Sequence, residues 1–146
     1  MKAYTDIEQS KKLAEILPLE SADMFYRDNE EDVKLMWEHL SEIKVTSPCW
    51  SLAALLSILP YKIELSHDVI DTSGNIAYKN ECYKLSINRC GLFGDKWNVQ
   101  YYGKHQRQLG KRYKELYIDL FLTKNHDNLV DACVEMILKL HEQNFL

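Results

Sequence analysis

Glycine and proline are scarce in this sequence, with five and three among 146 residues. Linkers and disordered tracts are usually rich in such residues, so their scarcity argues against both. A chain of this length can bury about two-thirds of the surface that its unfolded form exposes, which is enough for a self-supporting core. We therefore expect a single domain over residues 1–146.

Long apolar runs are also missing. The run from Cys49 to Leu59 is much shorter than the roughly 20 residues that a helix needs to cross a bilayer. The first residues, from Met1 to Asp6, contain no apolar signal-peptide core. The sequence therefore predicts a cytoplasmic protein that has no membrane partner.

Motifs for metals, cofactors and catalysis are absent too. The four cysteines form no CxxC pair, and no two of the five histidines have the i, i+4 spacing of a helical metal pair. The turn Gly91–Gly94 matches neither a Walker loop nor a dinucleotide fingerprint. The neighbours His67–Asp68 and His126–Asp127 do not make a dyad by adjacency, because a dyad requires side-chain geometry. We expect no metal, no cofactor and reduced cysteines, with Cys49 and Cys133 as small apolar residues on helix faces.

Four segments have the periodicity of helices. They are a segment from Asp6 to Leu17, Val33–Ile43, Pro48–Leu59, and a C-terminal segment with Asp127 or Asn128 as its cap. The third is apolar almost all the way round and has a proline at each end, which indicates a helix in the middle of the core. Thr5 and Glu8 are spaced as a capping box for the first helix, and Ser47 is the natural N-cap of the third. Leu55 or Leu56 should therefore be among the most buried residues.

The periodicity changes from helical to alternating between the third and fourth predicted helices. Apolar residues alternate over 61–65, 82–87, 97–101 and 116–122, and turn residues occupy 72–75 and 91–95. Successive strands with short connections imply an antiparallel meander. We therefore predict an α+β fold in which an antiparallel sheet of about four strands packs against N-terminal helices and a C-terminal helix.

Charge is unevenly distributed along the chain. Residues 1–44 hold six basic and eleven acidic side chains, a net −5, whereas residues 101–117 hold five basic and one acidic, a net +4. Basic groups interleaved with aromatic rings are typical of proteins that bind single-stranded nucleic acid. The candidate anion-binding or nucleic-acid-binding residues of this segment are Lys104, Arg107, Lys111, Arg112, Tyr113 and Lys114. Alternatively, the basic residues solubilise a hairpin loop or protect an edge strand.

Three stretches together resemble one group of proteins. They are YTDIEQSKKLAEILPLESADM from Tyr4, PCWSLAALLSILP from Pro48 and DNLVDACVEMILKL from Asp127, about a third of the chain. They resemble small proteins of unassigned activity that are carried by prophages and other mobile elements of gut Bacteroidales. The resemblance implies a cytoplasmic protein of bacterial or phage origin. It transfers no catalytic residue to this chain.

The sequence favours one class of function by exclusion. Because no convergent polar site is visible, we expect a non-enzymatic accessory protein that acts by protein–protein contact. A nucleic-acid-binding module that uses residues 101–117 is the second interpretation. An enzyme whose site assembles from distant residues is the third. A homo-oligomer is compatible with each of them.

Overall fold

The computed structural model describes residues 2–26, 33–35, 47–70, 76–109 and 112–146, with 33–35, 66–70, 76–80, 105–109 and 112–117 described by their backbone alone. The described helices are α1 (Ile7–Ala14), α2 (Leu52–Ile58) and α3 (Leu129–Glu142), with a 3-10 helix at Leu19–Ser21. The described strands are β1 (Met24–Tyr26), β2 (Val33–Leu35), β3 (Ser47–Cys49), β4 (Lys62–Ile70), β5 (Ile76–Cys90), β6 (Lys96–Leu109) and β7 (Arg112–Leu122). The fold is α+β, as the sequence predicts.

The larger sheet contains four antiparallel strands in the order β4-β5-β6-β7, so the predicted meander is confirmed. Its strands run well beyond the predicted apolar runs, and β5 and β6 have 15 and 14 residues. The predicted turn at 91–95 separates these two strands, whereas the predicted turn at 72–75 lies outside the described residues. Pairing between β6 and β7 continues to Leu109 and Arg112. The basic segment therefore lies mostly on two paired strands and not on a long loop.

One face of this sheet forms the core together with α2 and α3. Tyr83 and Tyr101 of the sheet are fully buried, and the Tyr101 hydroxyl donates a hydrogen bond of 2.6 Å to the Pro60 carbonyl. Leu55 is 0% exposed, which confirms the predicted central position of this helix, while Leu56 is only partly buried. The predicted apolar stripe of α3 is buried at Val130, Cys133, Ile137 and Leu140.

A second sheet of three short strands, in the order β2-β1-β3, is absent from the sequence prediction. Val33–Leu35 pairs with Met24–Tyr26 in this sheet, so the helix predicted over Val33–Ile43 is wrong at its start. Residues 36–43 lie outside the described residues. Helical spacing of apolar residues is a weak preference that pairing with a neighbouring strand overrides.

Helix α2 begins at Leu52, later than predicted, because Ser47–Cys49 pairs with β1. The N-cap is Ser51 and not Ser47. Its hydroxyl accepts a hydrogen bond from the Ala54 N–H at 3.1 Å, and its own N–H donates to the Asp23 carboxylate at 2.8 Å. Cys49 is buried as expected, but it lies on a strand and not on a helix face.

The cap of α1 is displaced by one residue from its predicted position. Asp6 and Gln9, not Thr5 and Glu8, form the capping box. Thr5 is fully buried, and its hydroxyl accepts a hydrogen bond from the Trp50 N–H at 3.1 Å. The Thr5 side chain, which the sequence predicted to be a cap, thus connects the N-terminal segment to the residue just before the N-cap of α2.

A β-bulge in β7 interrupts the alternation predicted over 116–122. The register shifts between Tyr101 and Tyr102 of β6, and Leu120 is the extra residue on β7. Consequently Leu120 and its neighbour Phe121 both pack against the core, while Leu122 is exposed. Such a switch of face follows from the period of two in a strand, because one inserted residue inverts it.

Candidate functional site

The most exposed apolar residues described in this protein lie together at the end of the β5–β6 hairpin. Leu92 is 91% exposed and Phe93 is 86% exposed. We call these two residues the apolar tip. Single exposed apolar residues are common, but two adjacent large ones at the end of a hairpin form a patch that usually has a binding role.

A tight turn presents the apolar tip. The Gly94 N–H donates a hydrogen bond of 3.2 Å to the Gly91 carbonyl, which closes the turn around Leu92 and Phe93. Gly91 has φ +91°, and a Cβ there would lie 2.7 Å from an Asp95 carboxylate oxygen. The positive φ favours glycine, because other residues rarely adopt it without strain, whereas the Asp95 side chain could move aside.

Arg89 connects the turn to the strands below it. Its Nε donates a hydrogen bond of 3.0 Å to the Gly94 carbonyl, and its guanidinium carbon lies 5.2 Å from the centre of the Trp97 ring. Arg89 and Trp97 are also register partners in the β5–β6 pair. The Trp97 backbone exchanges two hydrogen bonds of 2.7 and 2.8 Å with His126, so the hairpin is joined to the segment that precedes α3.

The charges around the apolar tip balance. Arg89 and Lys96 are positive, whereas Asp95 and Asp127 are negative, and Lys96 forms an ion pair with Asp127. We call these four residues the charged collar. The hydrogen bond to Asp127 raises the pKa of Lys96, so this lysine stays charged over the physiological range. The formal charges of these four residues therefore sum to zero.

A polar cluster ties α3 to the end of β7. The Glu135 carboxylate is within 2.5 Å of His126 Nε2 and 2.8 Å of Lys139 Nζ, and it accepts bonds of 3.2 and 3.3 Å from the Lys124 N–H. Burial alone would raise the pKa of Glu135, but the bonds from Lys139, His126 and Lys124 outweigh it and lower that pKa. His126 thus pairs with Glu135 and not with its sequence neighbour Asp127. Lys139 Nζ also donates a hydrogen bond of 2.7 Å to the Leu122 carbonyl. These contacts hold α3 against the end of β7, so the cluster has a structural role.

A second buried polar cluster surrounds Cys49. The Thr5 hydroxyl lies 2.7 Å from Ser10 Oγ and 3.6 Å from Cys49 Sγ, and the Tyr26 hydroxyl donates to the Thr5 carbonyl at 2.5 Å. Burial raises the pKa of the Cys49 thiol. A buried thiol in its neutral form is a poor nucleophile, so this cluster is structural.

The structure divides the residues predicted to bind nucleic acid between two strands. Lys104 and Arg107 lie on β6, Arg112, Tyr113 and Lys114 lie on β7, and Lys111 is outside the described residues. The register brings Arg107 opposite Lys114. Of the five that are described, only Lys104 has a described side chain, and it is exposed.

The sequence identified the Gly91–Gly94 turn but not the apolar tip. Its signal is the pair Leu92–Phe93 between the two glycines, where turn residues are usually polar.

Within the described part of the chain, no group of three or more His, Cys, Asp and Glu residues is placed to hold a metal ion. None of the helices formed by the described residues is long and apolar enough to cross a membrane. Comparison of the chain with protein-family models, curated proteins and solved structures gives no match.

Proposed function

We propose that this protein is a non-enzymatic interaction protein, an accessory factor of a mobile element, that contacts a protein partner through the apolar tip. The observation that carries the proposal is the exposure of Leu92 and Phe93 on a closed turn. Fully burying one side chain of this size is worth about 1.5–3 kcal/mol. Two of them in a partner's surface therefore supply a substantial part of the free energy of a specific complex.

The test is a pull-down from Bacteroidales lysate with the intact protein and two variants. The first variant, Leu92→Ser with Phe93→Ser, removes the apolar tip. The second, Tyr61→Ser, is the matched control, because Tyr61 is 72% exposed but lies just before β4 and outside the hairpin. We expect a protein that is retained after nuclease treatment, lost with the first variant and kept with the second. Retention by the tip variant would contradict the proposal.

A second candidate function is binding of single-stranded nucleic acid. It is favoured by the register, which pairs Lys84 with Tyr102 and leaves both of them and Lys104 exposed on the strands that lead into the basic segment. A ring and two lysines on one sheet face can stack on a base and contact phosphates. The whole-chain charge of −4 means that only such a local patch could attract a polyanion.

Fluorescence anisotropy with short labelled DNA and RNA at low salt tests this second candidate. Binding should weaken steeply as salt increases, since each neutralised phosphate releases about one counterion. Reversal of Lys84 and Lys104 to glutamate should abolish it, because these are the exposed lysines on which this candidate rests. Absence of binding at protein concentrations up to about 100 micromolar, the weak limit of non-specific affinities, would eliminate this candidate.

A further inference from the structure

We propose that the apolar tip is a preformed anchor for an apolar pocket on a different protein, and that Arg89 is the positioning residue that holds the tip in its docking shape. This inference rests on the function proposed above. It names the kind of partner and the residue that prepares the surface. Four observations support it: the shape of the tip, its exposed area, the charge of the collar and the bonds of Arg89.

The shape of the tip requires a concave partner. Leu92 and Phe93 are adjacent, nearly fully exposed and located where the hairpin reverses direction. A convex pair of side chains loses little contact with water on a flat surface, but it loses most of that contact in a pocket. Hot spots of protein interfaces are typically such anchors in well-packed pockets.

The exposed area of the tip argues against a second copy of this chain as the occupant. An aromatic side chain such as Phe93 buries about 150–250 Å², and Leu92 is smaller, so the two together offer at most roughly half of the 800 Å² per partner that a stable complex buries. The remaining area must therefore come from a partner whose surface surrounds the tip.

The charged collar argues against a lipid bilayer. Surfaces that bind anionic membranes place an excess of lysine and arginine around their apolar residues. Here Arg89 and Lys96 are balanced by Asp95 and Asp127, and Lys96 is already paired with Asp127. The two apolar side chains together have fewer carbon atoms than a myristoyl chain, which alone gives only marginal membrane binding. A protein pocket with a neutral, polar rim fits this surface better.

Arg89 prepares the tip for docking. Its bond to the Gly94 carbonyl links the end of β5 to the far side of the turn, and its contact with Trp97 fixes the guanidinium on the β5–β6 stem. A loop that is already ordered loses less conformational entropy on binding, so its affinity is higher for the same contacts. Arg89 thus acts on the tip without itself belonging to the apolar surface.

The first experiment measures the order of the tip without a partner. Backbone ¹⁵N order parameters of Leu92 and Phe93 should be near 0.85 in the intact protein and fall towards about 0.6 in Arg89→Ala. An Arg89→Lys variant keeps the charge but lacks the Nε donor, and it should resemble the alanine variant. Unchanged order parameters in both variants would overturn the positioning role.

The second experiment identifies and measures the occupant. A photo-crosslinking phenylalanine analogue at position 93 of the full chain should capture one protein from Bacteroidales lysate, and the same analogue at position 61 should not. Titration of that purified protein should give about 30-fold weaker binding for Phe93→Ser, the loss of a hot-spot residue. Arg89→Ala, which leaves the tip side chains intact, should weaken binding about fivefold.

The outcomes separate the inference from the proposed function. If Phe93→Ser weakens binding while Arg89→Ala changes neither affinity nor order, the protein contact stands and the positioning role is wrong. If the tip instead binds phosphatidylcholine–phosphatidylglycerol vesicles, or drives a dimer in analytical ultracentrifugation, the inferred occupant is wrong. If no protein is captured from position 93, both the inference and the proposed function fail.

Discussion

Replacement of Leu55 by alanine is the sharpest test of the architecture. Leu55 lies on α2, is 0% exposed and belongs to the core cluster that α2, α3 and the four-stranded sheet build together. Two other leucines of the same chain, which are less buried, serve as controls for the loss of stability. Leu56 is its neighbour and is only partly buried, whereas Leu92 is 91% exposed at the apolar tip.

The expected magnitudes follow from these burials. A leucine-to-alanine change removes three carbon groups, each worth about 0.8 kcal/mol when fully buried, or about 2.4 kcal/mol in transfer free energy. The cavity left in a packed core raises the loss to about 3–4 kcal/mol for Leu55. We expect about 1–2 kcal/mol for Leu56 and less than about 0.5 kcal/mol for Leu92.

Urea denaturation of the three variants measures these losses. With a slope of about 2 kcal/mol per molar urea, Leu55→Ala should lower the unfolding midpoint by about 1.5–2 M. The three slopes should agree with that of the intact protein, because the same surface is exposed on unfolding. If Leu55→Ala loses no more stability than Leu92→Ala, then α2 is not at the centre of the core and the packing described above is wrong.

Three further predictions concern other parts of the fold. Gly103→Ala should lose about 1–3 kcal/mol in the same urea assay, because the added Cβ would overlap the Cys82 carbonyl oxygen of the neighbouring strand; unchanged stability would contradict this close approach. Glu135 has a lowered pKa in the folded state, so its stabilising contribution is present above its ordinary pKa of 4.5 and is lost as pH falls through the folded value. The difference in free energy of unfolding between the intact protein and Glu135→Gln should therefore be large at pH 7 and small at pH 3. A difference that does not change with pH would refute the pairing. Under native conditions a thiol reagent followed by mass spectrometry should label Cys82 first, since it is exposed, and Cys49 and Cys133 only after unfolding; early labelling of either buried cysteine would contradict its position in the core.

The long, regular elements were predictable from the sequence. Helix α3 follows its cap at Asn128, whose side chain accepts a hydrogen bond from the Asp131 N–H at 2.9 Å, and its stripe is buried as its periodicity predicts. The β5–β6 turn falls where the sequence places glycines at Gly91 and Gly94. These features depend on residues within one or two turns of one another, so a local pattern contains the information they need.

The short strands were not predictable in the same way. Val33–Leu35 and Ser47–Cys49 are strands because each pairs with Met24–Tyr26, a partner that local periodicity does not reveal. The N-cap of α2 is Ser51 and not the predicted Ser47 for the same reason, because Ser47–Cys49 pairs with β1. A segment of three residues has too weak an intrinsic preference to resist its surroundings.

The candidate site shows the same division between local and long-range information. The two glycines that flank Leu92 and Phe93 in the sequence were enough to place them in a turn, but not to show that nothing in the described chain covers them. The pairing of His126 with Glu135, rather than with Asp127, likewise arises only when α3 packs beside the end of β7. Capping and periodicity depend on residues that are close in sequence, so they can be predicted from the sequence alone. Exposure, charge pairing and strand partners depend on which distant segments meet, and that is settled only when the whole core packs.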